Sequence, residues 1–268
     1  MTLPTRKASC PGTDNARACA APDGRDPVAG RHRDRAVDRQ AKVPLLISIA
    51  AGGSAIPRLS PYVARVTFTL WQQGYPIGKW AAEQGWKKAY TAVSDFIPGH
   101  DSEAAFTKGF GDGGGQIIGA VRIPPNNPDF APFVQRIKDA RPDVVFFWVP
   151  STQATALAKA VRDIGLREAG IQITSAQDLL PDEQLPAMGD APLGLITSGN
   201  YSTAGVRPAN ASFLAAWKRE YADRAIPNFL SVNAWDGMVE RQKESLPPKR
   251  RWHSSRIGRT LRARAGRL

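Results

Sequence analysis

The feature that most restricts the fold of this chain is a regular alternation of short apolar runs and helical patterns between residues 43 and 238. The apolar runs are nearly continuous, as in strands buried on both faces. They predict seven strands, at 44–50, 63–69, 88–94, 116–122, 143–148, 170–175 and 193–199. Helical patterns between them predict helices at 73–84, 102–110, 130–140, 152–164 and 209–221. This alternation indicates βαβ units, and therefore an α/β fold with parallel sheets.

The net charge of +12 comes from the two ends of the chain. Residues 1–42 hold nine basic and five acidic residues, and residues 239–268 hold ten and two. The remaining 17 basic and 17 acidic residues lie in 43–238, which is therefore neutral. Both ends are rich in Arg, Ala, Pro and Gly and lack any periodicity, so we expect them to be disordered.

Several protein classes are disfavoured by what the sequence lacks. No apolar run is long enough to span a membrane. Cys10 and Cys19 have no zinc-site spacing, so we expect no metal and no cofactor. The first residues lack the apolar segment of a secretory signal, so we expect no signal peptide in this chain.

Two stretches resemble enzyme signatures but stand in the wrong context. Residues 109–114 spell the dinucleotide motif G-x-G-x-x-G, yet they follow a helix and precede a strand. They are better explained as a helix stop and a turn. His100, Asp101 and Ser102 are adjacent, which is not the geometry of a catalytic triad. Asp101 or Ser102 is more naturally a helix N-cap, and we expect no catalysis.

Small and polar residues follow several of the predicted strands. In open α/β sheets, ligands bind in the crevice beyond the carboxyl ends of the strands. Glycine and serine there offer backbone and hydroxyl donors, and aromatic rings cover apolar groups. The segments concerned are 50–54, 69–72, 94–99, 149–153 and 176–178. Together they predict a cleft that binds a small molecule and carries no catalytic group.

The order of these segments resembles the periplasmic leucine/isoleucine/valine-binding protein family, the substrate-binding subunits of branched-chain amino-acid ABC importers. The resembling blocks are 43–54, 65–72, 85–90, 94–106, 127–147, 153–166, 194–202 and 233–238. The resemblance implies a type I periplasmic-binding (flytrap) fold, in which two doubly wound parallel-sheet lobes close on a ligand by a hinge. It also implies a periplasmic location and an ABC permease as partner. No nucleic acid and no membrane span are expected.

The resemblance assigns ligand contacts to five residues before the predicted second lobe. Gly52, Gly53 and Ser54 match the loop that cradles the ligand carboxylate in the family. Thr69 and Trp71 lie near the next family contact.

Four further contacts follow from the resemblance in the second lobe. Phe96 and Ile97 fall around an aromatic position that lines the cleft. Gln177 and Asp178 align close to the acidic residue that receives the ligand ammonium in amino-acid binders. Pro150 stands where some members carry an aromatic ring, so aromatic acids and other small carboxylates are admitted alongside branched-chain amino acids.

The resemblance also predicts the domain organisation. Residues 43–85 correspond to a remnant of the first lobe, 86–200 to the second lobe, and 201–238 to the crossover and return to the first lobe. Residues 1–42 and 239–268 resemble no part of the family, and our hypothesis is that they are translated out of frame or belong to a decayed gene copy. The first lobe is then incomplete, and its uncovered apolar faces favour aggregation. One alternative is therefore a fragment without function.

Two other functions stay open from the sequence. A nucleic-acid-binding protein would use the basic ends, and its affinity would fall steeply with salt and be lost on deletion of 239–268. An α/β enzyme, amidase-like for example, would need a base near its nucleophile. Turnover that survived His100→Ala would remove the histidine candidate of the neutral region.

Overall fold

The computed structural model describes residues 45–53, 62–222 and 225–244. The predicted disorder of residues 1–42, most of the segment 239–268 and the carboxylate contact assigned to Ser54 all lie outside these residues.

The strands form two parallel sheets, and all seven predicted strands are present. Strand β1 (Leu45–Ile47) pairs with β2 (Val63–Arg65) in a small sheet. The other five strands form one sheet in the order β4-β3-β5-β6-β7. They are β3 (Lys88–Ser94), β4 (Gln116–Ile123), β5 (Val144–Trp148), β6 (Gln172–Ala176) and β7 (Ile196–Ser198). The parallel pairing and the crossed strand order confirm the α/β prediction.

All five predicted helices are present, with shifted ends. They are α1 (Leu70–Glu83), α2 (Ile97–Asp112), α3 (Ala131–Ala140), α4 (Ala154–Ile164) and α6 (Pro208–Tyr221). The short α5 (Leu185–Met188) and the long α7 (Phe229–Glu244) were not predicted. In α7, Phe229 and Val232 are buried whereas Trp235 is 37% and Met238 49% exposed, so no single apolar face marks the helix in the sequence.

The core of the five-stranded sheet has two faces. Every residue of β5 is buried, which accounts for its uninterrupted apolar sequence. On one face, Val145 and Phe147 pack in the cluster that includes the buried residues of α3 and α4. On the other face, Phe146 packs with residues of α1 and α2, and its ring lies 4.4 Å from the ring of Phe106 in a stacked arrangement.

Helix α1 packs on the larger sheet, although it lies in the segment 43–85 that the sequence assigned to the first lobe. Its residues Ile77 and Ala81 belong to the same cluster as Phe106 and Phe146. Helix α7 reaches both sheets, because Phe229 belongs to that cluster and a side chain at Gly237 would meet Val66 and Leu46. The limits proposed for the two lobes stay predictions.

Helices α1 and α2 touch through their backbones. A Cβ atom at Gly78 would lie 2.4 Å from the carbonyl oxygen of Phe106, and one at Gly109 would lie 2.1 Å from that of Tyr75. The prediction that residues 109–114 form only a helix stop and a turn is therefore incomplete. The stop lies at Gly113 and Gly114, whereas Gly109 is inside α2 and allows the close approach.

This contact predicts opposite effects for two glycines of the same helix. Gly109→Ala places a methyl group against backbone and should lower the free energy of unfolding by about 1–3 kcal/mol. A Cβ atom at Gly111 would have no packing neighbour within 4 Å. Gly111→Ala should therefore raise stability by up to about 1 kcal/mol through helix propensity. Urea denaturation of both variants measures the difference, and equal effects would contradict the backbone contact.

Candidate functional site

The loop after β1 lies against the first turns of α2. A Cβ atom at Gly52 would lie 3.0 Å from Cγ of Pro98. The backbone N–H of Gly53 donates to Oδ2 of Asp101 at 2.7 Å. From the other side, the guanidinium of Arg65 donates to the carbonyls of Gly52 at 2.9 Å and Gly53 at 3.1 Å. The small sheet and the larger sheet therefore meet at their carboxyl ends.

The start of α2 differs from the prediction. Asp101 and Ser102 do not cap the helix, because α2 already begins at Ile97, after Phe96. The early start depends on Gly99, where a Cβ would lie 2.0 Å from the carbonyl oxygen of Ser94 at the end of β3. Asp101 thus stands inside the helix and is available to the Gly53 amide.

Two aromatic rings stand at the carboxyl end of the larger sheet. Phe96 follows β3 and Trp148 ends β5, and their ring centroids lie 5.5 Å apart. Trp148 is 4% exposed and belongs to a cluster against which Ala51 of the loop after β1 also packs. Ile97, beside Phe96, is 40% exposed. The rings form an apolar wall between the two sheets.

Asp178 follows β6 at the same edge of the sheet. The residue keeps some exposure, but its Oδ2 atom is shielded from solvent and has no hydrogen-bond partner among residues 45–53, 62–222 and 225–244. Burial raises the pKa of its carboxyl from 3.8 to about 6, although its own backbone and the Trp148 indole partly oppose the shift. Nε1 of Trp148 is likewise buried without a partner that meets hydrogen-bond geometry. A donor and an acceptor thus lie close together at this edge without a hydrogen bond of ordinary geometry in the described residues.

Gln177 is engaged within the protein. Its amide donates to the carbonyl of Tyr201 at 2.6 Å and accepts from the backbone N–H of Asn200 at 3.1 Å. The Asn200 side chain donates to Asn233 on α7 at 3.1 Å, and Asn233 donates to the hydroxyl of Thr67 at 2.9 Å. Sequence reasoning missed this network, which ties the loops after β6 and β7 to the segment after β2.

The remaining predicted contacts lie at the start of α1. Thr69 is the N-cap of α1 and forms a capping box with Gln72. Its hydroxyl accepts from the Gln72 backbone N–H at 3.4 Å, and Gln72 accepts from the Thr69 N–H at 2.7 Å. Trp71, in the first turn, is 38% exposed. The structure therefore gives Thr69 a structural task at the position where the resemblance placed a ligand contact.

The adjacent residues His100, Asp101 and Ser102 do not form a catalytic triad in the structure. His100 pairs with Asp95, with Nε2 and Oδ1 2.9 Å apart, on an exposed surface. Asp101 instead bonds to Gly53, and Ser102 is 1% exposed. Within residues 45–53, 62–222 and 225–244, no three His, Cys, Asp or Glu side chains gather as metal ligands would. Among the described helices, none is long and apolar enough to span a bilayer.

Two surface cavities lie away from this cleft. One is lined by residues such as Arg167 and Gln172, the other by residues such as Asp143 and Gly170. Both lie toward the amino-terminal ends of β5 and β6, which is the opposite edge of the sheet. We therefore assign the candidate site to the group at the carboxyl edge, and call it the cleft: Gly52, Gly53, Phe96, Trp148 and Asp178.

Comparison with known proteins gives a consistent result. Residues 31–239 match the periplasmic binding protein family. Leu/Ile/Val-binding protein homolog 6 of Brucella suis biovar 1 (strain 1330) is 39% identical over 201 residues, which are 75% of this chain and 51% of that protein. The chain thus spans about half the length of the curated relatives it matches.

Two solved structures are similar in both sequence and fold. A solute binding protein of an ABC transporter from Rhodopseudomonas palustris BisB5, in complex with 3,4-dihydroxybenzoic acid, is 41% identical with a TM-score of 0.73. The match covers 79% of this chain and 57% of that one. A solute binding protein from R. palustris in complex with 4-hydroxybenzoate is 34% identical with a TM-score of 0.78, over 85% of this chain and 61% of that one.

The raised pKa of Asp178 predicts a pH-dependent stability effect. The folded state binds this proton more tightly than the unfolded state, so the contribution of Asp178 to stability is full below pH 3.8 and is lost as pH rises through about 6. Asp178→Asn removes the ionisation. Relative to the parent, the variant should gain about 2 kcal/mol in free energy of unfolding between about pH 4.5 and about pH 7.5.

Urea denaturation at the two pH values measures this gain. Asp112→Asn is the control, because its carboxylate lies on the surface with Lys108 and Tyr75 and has a lowered pKa. That variant should not become relatively more stable as pH rises. A stability difference between Asp178→Asn and the parent that does not change with pH would contradict the burial of the Asp178 carboxyl.

Proposed function

The chain belongs to the periplasmic binding protein family, and on that premise we propose that it is the ligand-capturing component of an ABC importer for small carboxylates. The class includes branched-chain amino acids, after which the Brucella relative is named, and the aromatic acids held by the two R. palustris proteins. The role consists of binding and release without covalent chemistry. It is exercised in the periplasm, with an ABC permease as the partner.

The observation that carries the proposal is the hydrogen bond between Gly53 and Asp101. Arg65 holds the carbonyl of Gly52, and because a trans peptide points its C=O and N–H in opposite directions, the N–H of Gly53 faces α2. That N–H binds a carboxylate, which is the side chain of Asp101. Gly53 has a φ of +64°, a conformation that suits a loop offering backbone donors to an anion. With the Gly53 N–H held by Asp101 in the closed arrangement, a ligand carboxylate is received by the neighbouring backbone donors of the same loop.

The same bond joins the two sheets, so it supports a closing motion. It links the loop after β1 to α2 on the larger sheet, and it exists only while the two are in contact. An interaction made only in the closed arrangement shifts the open–closed equilibrium toward closure and strengthens ligand binding. Phe96 and Trp148 lie beside this contact and enclose the apolar part of a ligand.

Isothermal titration of the full chain tests the function. The probes are leucine, isoleucine, benzoate and 4-hydroxybenzoate, with benzamide as the matched compound that lacks a carboxylate. We expect binding of at least one carboxylate and at least tenfold weaker binding of benzamide, and NMR of the recovered ligand should show no chemical change. Absence of binding to the whole carboxylate panel by folded protein would overturn the proposal, and conversion of a probe would indicate an enzyme.

Loss of the Gly53–Asp101 bond should weaken binding. Hydrogen bonds to charged groups contribute about 1.5–3 kcal/mol, and partial exposure reduces this to about 1 kcal/mol, so Asp101→Asn should weaken the affinity about fivefold. Asp112→Asn is the matched control on α2, because Asp112 bonds to Lys108 and Tyr75 and does not reach the loop after β1. Equal affinities for the two variants would contradict the role of Asp101 in closure.

A further inference from the structure

Trp148 and Asp178 together present one donor and one acceptor that lack a hydrogen bond of ordinary geometry in the described part of the chain. Nε1 of Trp148 and Oδ2 of Asp178 are both buried, and neither has a well-formed hydrogen bond to another of the described residues. Buried polar atoms are almost always paired, and an unpaired one costs about 1–3 kcal/mol. Two such atoms lie at the carboxyl ends of adjacent strands β5 and β6, where ligands bind in this type of sheet, and therefore point to recognition of a polar ligand group.

The two atoms restrict the chemistry of that group. An indole N–H donates only, and an ionised carboxylate accepts only. An ammonium group donates only, so it would satisfy Asp178 and leave the Trp148 N–H unpaired. A methyl or ring C–H satisfies neither atom. A hydroxyl group both donates and accepts, and can satisfy both atoms at once.

We propose that Trp148 and Asp178 recognise a hydroxyl group of the ligand, so that hydroxylated aromatic carboxylates are the preferred substrates of this cleft. This inference rests on the proposed function, since the Gly52–Gly53 loop holds the ligand carboxylate. Trp148 donates to the hydroxyl oxygen and Asp178 accepts the hydroxyl proton. The Phe96 and Trp148 rings, 5.5 Å apart and tilted at 53°, supply the wall for an aromatic ring.

A purely internal role for the two groups is the main competing explanation. The indole lies near enough to Asp178 to oppose the rise in its pKa, which is the behaviour of a donor next to a carboxylate. A Trp148–Asp178 contact with a purely structural role would stabilise the protein. It would not change the relative affinities for ligands with and without a hydroxyl group. Discrimination between ligands that differ in one hydroxyl group separates the two roles.

The test compares benzoate with 3-hydroxybenzoate and 4-hydroxybenzoate on the full chain by isothermal titration. We expect at least one hydroxylated ligand to bind about tenfold or more tightly than benzoate, as a hydrogen bond to a charged group provides. Trp148→Phe keeps a ring against Phe96 and removes the N–H, and Asp178→Asn removes the charge. Both should reduce the ratio of hydroxybenzoate affinity to benzoate affinity several-fold, and this ratio, measured within each variant, is the readout.

Trp217→Phe is the matched control for Trp148→Phe. It also removes an indole N–H, but that group donates to the carbonyl of Ala225 and lies apart from the cleft. It should leave the preference for the hydroxylated ligand unchanged. Thermal melting of each variant establishes that it is folded before its affinities are compared.

The outcomes separate the inference from the function on which it rests. If the parent binds benzoate and both hydroxybenzoates equally, or prefers leucine to all three, the hydroxyl role is overturned and the carboxylate function stands. If the preference is present but survives both Trp148→Phe and Asp178→Asn, these residues are not its source and the inference fails. If the folded parent binds none of the carboxylates, the proposed function fails and the inference with it.

Discussion

The backbone contact between α1 and α2 determines where the cleft lies. Gly78 and Gly109 let the two helices approach to a distance that any side chain would prevent. Helix α2 therefore packs closely against the larger sheet, and the ring of Phe106 stacks on the ring of Phe146. Gly99 brings its first turn onto the end of β3 in the same way. Only from this position does α2 present Asp101 to the loop after β1.

Two groups of polar side chains at the carboxyl edge have different physical consequences. Gln177, Asn200, Asn233 and Thr67 satisfy one another and tie the segment after β2 and helix α7 to the larger sheet. Such a satisfied network rigidifies the structure. Trp148 and Asp178 lack well-formed hydrogen bonds within the described residues, which lowers stability and is the basis for the proposed role in ligand recognition. Buried polar groups without hydrogen-bond partners are expected at functional sites, and packing elsewhere in the protein offsets their cost in stability.

The sequence predicted the strands and most of the helices, but few of the contacts of individual side chains. The seven strands follow from apolar runs, because a strand buried on both faces leaves no polar position in the run. Helix α7 was not predicted, because different parts of it contact different partners, including the small sheet and Phe213 of α6, and this leaves no periodic apolar face in its sequence. The ligand contacts predicted for Thr69 and Gln177 stay predictions, and the sequence did not show that Thr69 caps α1 or that Gln177 belongs to the polar network.

By itself the sequence determined the α/β class, the strand order along the chain, the family resemblance and the strand-end loops that hold the cleft. These depend on local periodicity and on residues that are close in the chain, which a sequence records directly. Only the tertiary structure decided that α1 belongs with the larger sheet, that Asp101 bonds to Gly53, and that Trp148 and Asp178 share one edge. Gly53 and Asp101 are 48 positions apart. Such a contact depends on how closely helices and strands pack, and no local pattern encodes that distance.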